Sequence, residues 1–192
     1  GIYFYLPPAG AGLEVQVSEE IFFGVLTAYG LARLIGGVID SLADPVVGHY
    51  SDRSQSKIGR RKLFLILGIV PMTVTPALLF FPPGEPGTQS IFIYLTVLLC
   101  LYYIFFTVYT APYNALIPEI ARTEKERVEL SRLKSVISGC IAMAYGILWL
   151  AGIKIFKELG LDATSAVQIV VVISCVISFI FCICPILVIK EH

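Results

Sequence analysis

Asp40 and Asp44 lie four residues apart in an otherwise apolar stretch, with Arg33 seven residues before Asp40. On a helix this spacing puts both carboxylates on one face, about 6 Å from each other. Arg33 falls two turns away on the same stripe. A charge at membrane depth costs about 3 kcal/mol or more unless it pairs, faces water or binds an ion. Two acids on one face also repel, so one holds a proton or both share a cation. The pair therefore reads as a site for Na⁺ or H⁺, with no other metal expected. The competing reading is an ion pair with Arg33 or with the basic segment that follows, close to the membrane surface. Pro45 removes a backbone hydrogen bond and frees the Ser41 carbonyl, a further oxygen suited to a hard cation.

The second signal is the run holding Gly48, Asp52, Arg53, Gly59, Arg60, Arg61 and Lys62. Gly48 would let helices approach closely. Asp52 would latch one conformation by pairing with an Arg or a helix end. Arg60, Arg61 and Lys62 would anchor the loop at anionic headgroups. The plainer alternative is a basic stop signal without a gating role. Further along, Tyr102, Tyr103, Phe105, Phe106 and Tyr109 suit either helix packing or the wall of a solute cavity. Gly139, Ala142, Gly146 and Gly152 recur at helical spacing as expected for close helix packing. Trp149 marks packing or the outer interface, and His49 reads as a solvated histidine. The cysteines, Cys100, Cys140, Cys175, Cys182 and Cys184, all lie in apolar runs and read as small buried hydrophobes. No nucleophile–base set, phosphate loop or metal cluster is visible, so the chain does not read as an enzyme.

The elements that must carry these residues follow from composition. Of 192 residues, 57% are hydrophobic and 15% charged, and the mean hydropathy is +0.84. A small soluble fold cannot hide that much apolar surface; the lipid bilayer is the natural solvent. Lys+Arg and Asp+Glu both number 14, which gives no sign of a nucleic-acid partner. Stretches of about 20 apolar residues qualify as spans: Ile21 to about Val47, Leu63–Phe81, Ile91–Ile117, Val136 to about Ile155, and Ala166–Ile189. A shorter apolar piece, Ile2–Leu6, runs into Pro7 and Pro8. It resembles the tail of a helix whose beginning is absent, since the chain starts at Gly1. Residues 7–20 and 82–90 carry no Lys or Arg, whereas loops near 48–62 and 119–135 hold Arg53, Lys57, Arg60, Arg61, Lys62, Arg122, Lys125, Arg127, Arg132 and Lys134. Basic loops at every second connection put residues 48–62 and 119–135 in the cytoplasm.

The Gly48–Lys62 run resembles the cytoplasmic loop signature of the major facilitator superfamily, with an insertion before the second Gly. The segment from Asp40 through Asp44 and Pro45 to Gly48 is similar to the second-helix motif of the glycoside–pentoside–hexuronide:cation symporters, the melibiose permease-like family of that superfamily. Tyr109, Thr110, Pro112, Tyr113, Asn114, Pro118 and Glu119 match its fourth helix and exit, and Glu124–Arg132 its charged segment before the fifth. The order and spacing of segments agree over nearly the whole chain.

The resemblance implies an all-α integral membrane fold. Residues 1–192 would form the N-terminal six-helix bundle of a major facilitator protein, with the first helix truncated and the C-terminal bundle absent. It implies multi-pass residence in a plasma or cell inner membrane. The activity implied is cation-coupled symport of a sugar or similar polar solute by alternating access, with no cofactor beyond the coupling ion. The partners would be the lipid bilayer, a small-molecule solute and the missing half of the same transporter, with no nucleic acid. Residue by residue, Asp40, Asp44 and Thr107 match the cation site. Arg33, Tyr109, Thr110, Asn114 and Lys134 fall on the substrate side. Thr110 and Asn114 replace a sugar-binding acid and an aromatic of the melibiose permease-like pattern, which counts against a galactoside as cargo. Gly37 replaces an Arg one turn before the first acid, and Arg33 sits one turn further up. A lysolipid cargo and a non-transporting scaffold subunit are the alternatives.

Overall fold

Thr27 fixes where the first long helix begins: its side chain accepts a hydrogen bond from the Gly30 N–H at 3.2 Å, satisfying one of the donors every helix start leaves open. The computed structural model describes residues 2–5, 7, 16, 21–22, 26–54, 56, 59, 61–84, 88–116, 121 and 123–188. Within them the order is α1 (Ile2–Tyr5), β1 (Ile21–Phe22), β2 (Leu26–Thr27), α2 (Ala28–Arg53), α3 (Lys62–Leu78), α4 (Gln89–Ala115), α5 (Glu124–Glu158) and α6 (Ala163–Val188). The strands form a two-residue antiparallel ladder, with Ile21 opposite Thr27 and Phe22 opposite Leu26. The rest of the described architecture is helical, as expected.

Three boundaries differ from expectation. The span expected from Ile21 starts at Ala28, because Ile21 and Phe22 pair with Thr27 and Leu26 and Thr27 caps the helix behind the ladder. The same helix runs on to Arg53, through residues expected in the loop near 48–62. The Ser51 hydroxyl donates back to the Gly48 carbonyl at 3.1 Å, and Val47 and Ser51 are buried, which holds this last stretch helical. The span expected from Val136 starts at Glu124 instead. Thr123 and Glu126 form a reciprocal capping box there, so most of the loop expected at 119–135 is the first turns of α5. At 35 residues, α5 is about 52 Å long. A bilayer core is about 30 Å thick, so the charged first third projects beyond it.

Among the described residues, three helices are long and apolar enough to cross a membrane: Gln89–Ala115, Glu124–Glu158 and Ala163–Leu187. Five complete spans were expected. The α3 helix, at 17 residues, is about 26 Å long, and α2 is long enough but interrupted by Arg33, Asp40 and Asp44.

Among the described residues, three glycines allow close helix approach. A Cβ at Gly36 would lie 2.7 Å from the Tyr103 ring of α4. One at Gly68 would lie 3.1 Å from the Tyr109 backbone nitrogen, and one at Gly152 would lie 2.8 Å from Val170. The expectation for Gly48, Gly139 and Gly146 is corrected: nothing stands within 4 Å of a Cβ at any of them, and Ala142 is exposed. The α5 surface carrying Gly139, Ala142 and Gly146 is exposed, so small residues there meet no neighbour.

Two buried clusters lie at opposite ends of the antiparallel helices. One gathers Phe4, Tyr5, Ala28, Ala32, Phe80, Leu95 and Val167, with Trp149 packed on Phe80 at 5.8 Å between ring centroids. The other joins Leu65, Ile69, Tyr109 and Leu116 to the end of α6. The five cysteines are free, and Cys140 and Cys184 are exposed rather than buried.

Candidate functional site

The α2 stripe meets α4 at Asp40. The Thr107 hydroxyl donates to the Asp40 carboxylate at 2.6 Å, and Thr107 is 1% exposed. A distance of 2.6 Å lies at the short end of the O–H···O range. The Gly36–Tyr103 approach one turn away brings the two backbones close enough for these short side chains to meet. Tyr102, on α4 as well, also comes within electrostatic reach of Asp40. Asp40 is half-buried, while Asp44, a turn further on, is exposed, and so is Arg33, which lies beside the Tyr29 phenol. The Ser41 hydroxyl donates back to the Gly37 carbonyl at 2.9 Å. The arrangement assembles carboxylate and hydroxyl oxygens from two helices, the donor set of a hard cation.

The candidates on the substrate side divide. Lys134 of α5 donates to the Asn114 side-chain oxygen at the end of α4, and its ammonium lies 5.5 Å from the centre of the Tyr113 ring. These residues, 20 apart in the chain, form one polar group. Thr110 turns its hydroxyl back to the Phe106 carbonyl at 2.8 Å. Tyr109 is 6% exposed, and its hydroxyl donates to the Cys182 carbonyl of α6 at 2.9 Å. Its ring stacks on Tyr113 with centroids 6.2 Å apart. The structure therefore gives Tyr109 a packing role towards α3 and α6 rather than a place beside Arg33. Tyr113 is a site residue that the motif contains but to which it assigns no role. Its place one turn after Tyr109, on the same face, was the signal.

A third group sits at the basic end of the helices. The Arg61 guanidinium donates to Asp52 at 3.3 Å and to the Ala115 carbonyl at 2.7 Å. It thus ties the end of α2 to the orphan carbonyls at the end of α4, where a cation is also favoured by the helix dipole. Arg61 is 8% exposed, whereas Asp52 and Arg53 are exposed. Gly59 takes φ +121°, a left-handed conformation open to glycine. Arg60 lies outside the described residues. No group of three or more His, Cys, Asp or Glu side chains suited to a metal ion occurs among the described residues.

Three helices apolar enough to cross a membrane, with a half-buried acid of α2 bonded to a hydroxyl of α4 beside them, describe a multi-pass integral membrane protein. Residues 23–192 match the model of the MFS/sugar transport protein family, and the chain belongs to that family of transport proteins, not to a family of enzymes. It is 27% identical over 144 residues to the uncharacterized symporter sll1374 of Synechocystis sp., covering 68% of this chain and 26% of that protein. It is 29% identical over 115 residues to the putative glycoside/cation symporter YagG of Escherichia coli, covering 60% of this chain and 25% of that protein. It is 30% identical over 93 residues to the sodium-dependent lysophosphatidylcholine symporter 1 of Xenopus tropicalis, covering 48% of this chain and 18% of that protein. The chain thus spans about a quarter of the first two relatives and less of the third. No solved structure matches it.

Proposed function

We propose that this chain is the N-terminal bundle of a secondary active symporter in which Na⁺ or H⁺ at Asp40, Asp44 and Thr107 drives uptake of a polar solute, a sugar in the first instance. The observation that carries the reading is the 2.6 Å bond from Thr107 to Asp40 between α2 and α4. An acid at membrane depth that pairs with no cation among the described residues needs an ion or a proton. The hydroxyl bonded to it keeps lone pairs free for that ion. A second bundle of similar size would complete the solute cavity between the two halves. Lys134, Asn114 and Arg33 would face the solute, and the Arg61–Asp52 pair would hold one conformation closed. Alternating access then means breaking and remaking that latch as the bundles rock. The printed name of the glycoside/cation relative supports this cargo class and coupling. The basic ends of α2 and α5 face the cytoplasm in this reading, and the membrane is a plasma or cell inner membrane.

A lysolipid is the second cargo to weigh, because Thr110 and Asn114 are already engaged within the protein and leave fewer groups to grip sugar hydroxyls. The lysophosphatidylcholine relative points the same way.

The deciding experiment is thermal stability of the full-length protein against Na⁺ at several pH values, with Asp40→Asn and Asp44→Asn alongside. Saturable Na⁺ stabilisation, lost in both variants, is expected. A pH dependence lost in the variants, without a Na⁺ effect, would assign the site to protons. Dependence on neither would overturn the proposal. Uptake of a sugar panel against lysophosphatidylcholine separates the cargoes.

A further inference from the structure

The two buried clusters leave a cavity between them. It measures about 230 Å³ and is walled by α3 (Met72, Thr73), α4 (Tyr102), α5 (Tyr145, Trp149) and α6 (Ser174, Cys175, Ser178), with Phe80 at one end. It lies within this bundle, apart from the face on which Thr110, Asn114 and Lys134 stand.

We propose that this cavity is a binding site for a small neutral apolar molecule bearing one hydroxyl donor, of the alkylphenol class. Three properties of the lining lead there. No charged side chain lines the cavity, so an ionic ligand would meet no counter-charge in a low-dielectric site. Its volume falls below the roughly 300–1,000 Å³ of drug-sized pockets, which excludes a disaccharide or an entire lipid. The polar lining, finally, is rich in acceptors. Thr73 donates to the Ile69 carbonyl at 2.8 Å and Ser174 to the Val170 carbonyl at 2.8 Å. The Tyr145 hydroxyl donates to the Ser174 carbonyl at 3.3 Å and shares a 2.8 Å bond with Ser178. Each hydroxyl has one hydrogen and two lone pairs. With these hydrogens engaged inside the protein, lone pairs remain for a ligand's donor, while the Tyr102 hydroxyl and the Trp149 indole N–H line the same cavity as donors, so a hydroxyl, which both donates and accepts, suits either set. The aromatic walls, Phe80, Tyr102 and Trp149, suit a ring.

The site also has a mechanical consequence. The α5 helix has no buried residue of its own, and Tyr145 and Trp149, two of its contacts with the body, both line the cavity. An occupant would fasten α5 to α3, α4 and α6.

The test is photolabelling of the full-length protein in lipid nanodiscs with a diazirine-bearing trifluoromethylphenol, read by peptide mass spectrometry. Labelling should be saturable and fall on the α5 segment holding Tyr145 and Trp149 and the α6 segment Ser174–Ser178. Thymol should displace the probe. Its hydroxyl-free counterpart p-cymene, at equal membrane concentration, should need about five times more, the ~1 kcal/mol of one neutral hydrogen bond. Ser178→Leu, which fills the cavity and removes an acceptor, should abolish the labelling. Should that variant fail to fold, the thymol and p-cymene comparison decides alone. Labelling that does not saturate, equal displacement by both compounds, or labelling that persists in folded Ser178→Leu would overturn the proposal; equal displacement would mark a plain apolar crevice.

Discussion

At the scale of the residue, Thr107 separates a cation site from a structural ion pair. Its hydroxyl is buried and bonded to Asp40, and a hydrogen bond to a charged group contributes about 1.5–3 kcal/mol. Thr107→Val keeps shape and removes only the oxygen. If Asp40 holds the coupling ion, the Na⁺ concentration for half-maximal stabilisation should rise by roughly tenfold or more in that variant. A Thr107→Val protein with unchanged Na⁺ titration would mean that the hydroxyl only positions Asp40. Arg61 makes a second residue-scale case. It bridges an exposed carboxylate and a helix-end carbonyl, and its fork geometry matches both at once. Arg61→Lys should lower stability by about 1–3 kcal/mol. Asp52→Asn should lower it by less than about 1 kcal/mol, because the Asp52 side chain is 61% exposed and its pair is screened by water. Thermal melts of the two variants check this order. The ranking also says that the link to the α4 end, rather than the acid, carries most of the contact.

The element scale concerns how α2, α3 and α4 come close enough for these side chains to meet. Gly68 faces the Tyr109 backbone at 3.1 Å and the Phe105 carbonyl at 3.3 Å, and backbone cannot swing aside as a side-chain tip can. Gly68→Val should therefore destabilise by about 1–3 kcal/mol through overpacking. Gly37, one position along from the tightly packed Gly36, has nothing within 4 Å. Gly37→Ala should leave stability unchanged or raise it by about 0.5–1 kcal/mol, since glycine is the poorer helix former. Unfolding curves for the pair check it. Prolines interrupt α2, α3, α4 and α6 at Pro45, Pro71, Pro76, Pro112 and Pro185, whereas α5 is continuous. Continuity and the capping box together account for its length. They also explain why a segment that reads as a charged loop in the sequence is the start of a helix: the capping box satisfies its first turn without a membrane-length apolar run.

For the whole molecule, the distribution of charge sets an orientation that can be measured. Arg53, Arg61, Lys62, Lys125 and Arg127 gather where α2 and α4 end and α3 and α5 begin, while the turn between α3 and α4 carries none. In the full-length protein in cells, Pro83→Cys should react with a membrane-impermeant thiol reagent from outside. Ser54→Cys should react only after permeabilisation. The reverse pattern would invert the topology and remove the cytoplasmic placement of the Arg61 latch.

Much of this was legible before any coordinates. Apolar run length and the alternation of basic connections depend on local composition, and the bilayer makes both nearly deterministic. The spacing of Asp40 and Asp44 is likewise a property of one helix, and the sequence by itself determined the class of protein, the helical fold and the helix that carries both acids. The tertiary structure alone decided which residues meet. It gave Thr107 and Asp40, which the family resemblance already groups, their direct bond, paired Lys134 with Asn114, turned Tyr109 into the packing against α6, and opened the hydroxyl-lined cavity between the clusters. These contacts join residues distant in the chain, and they depend on the register and rotation of one helix against another. No periodicity within a single helix encodes that relation.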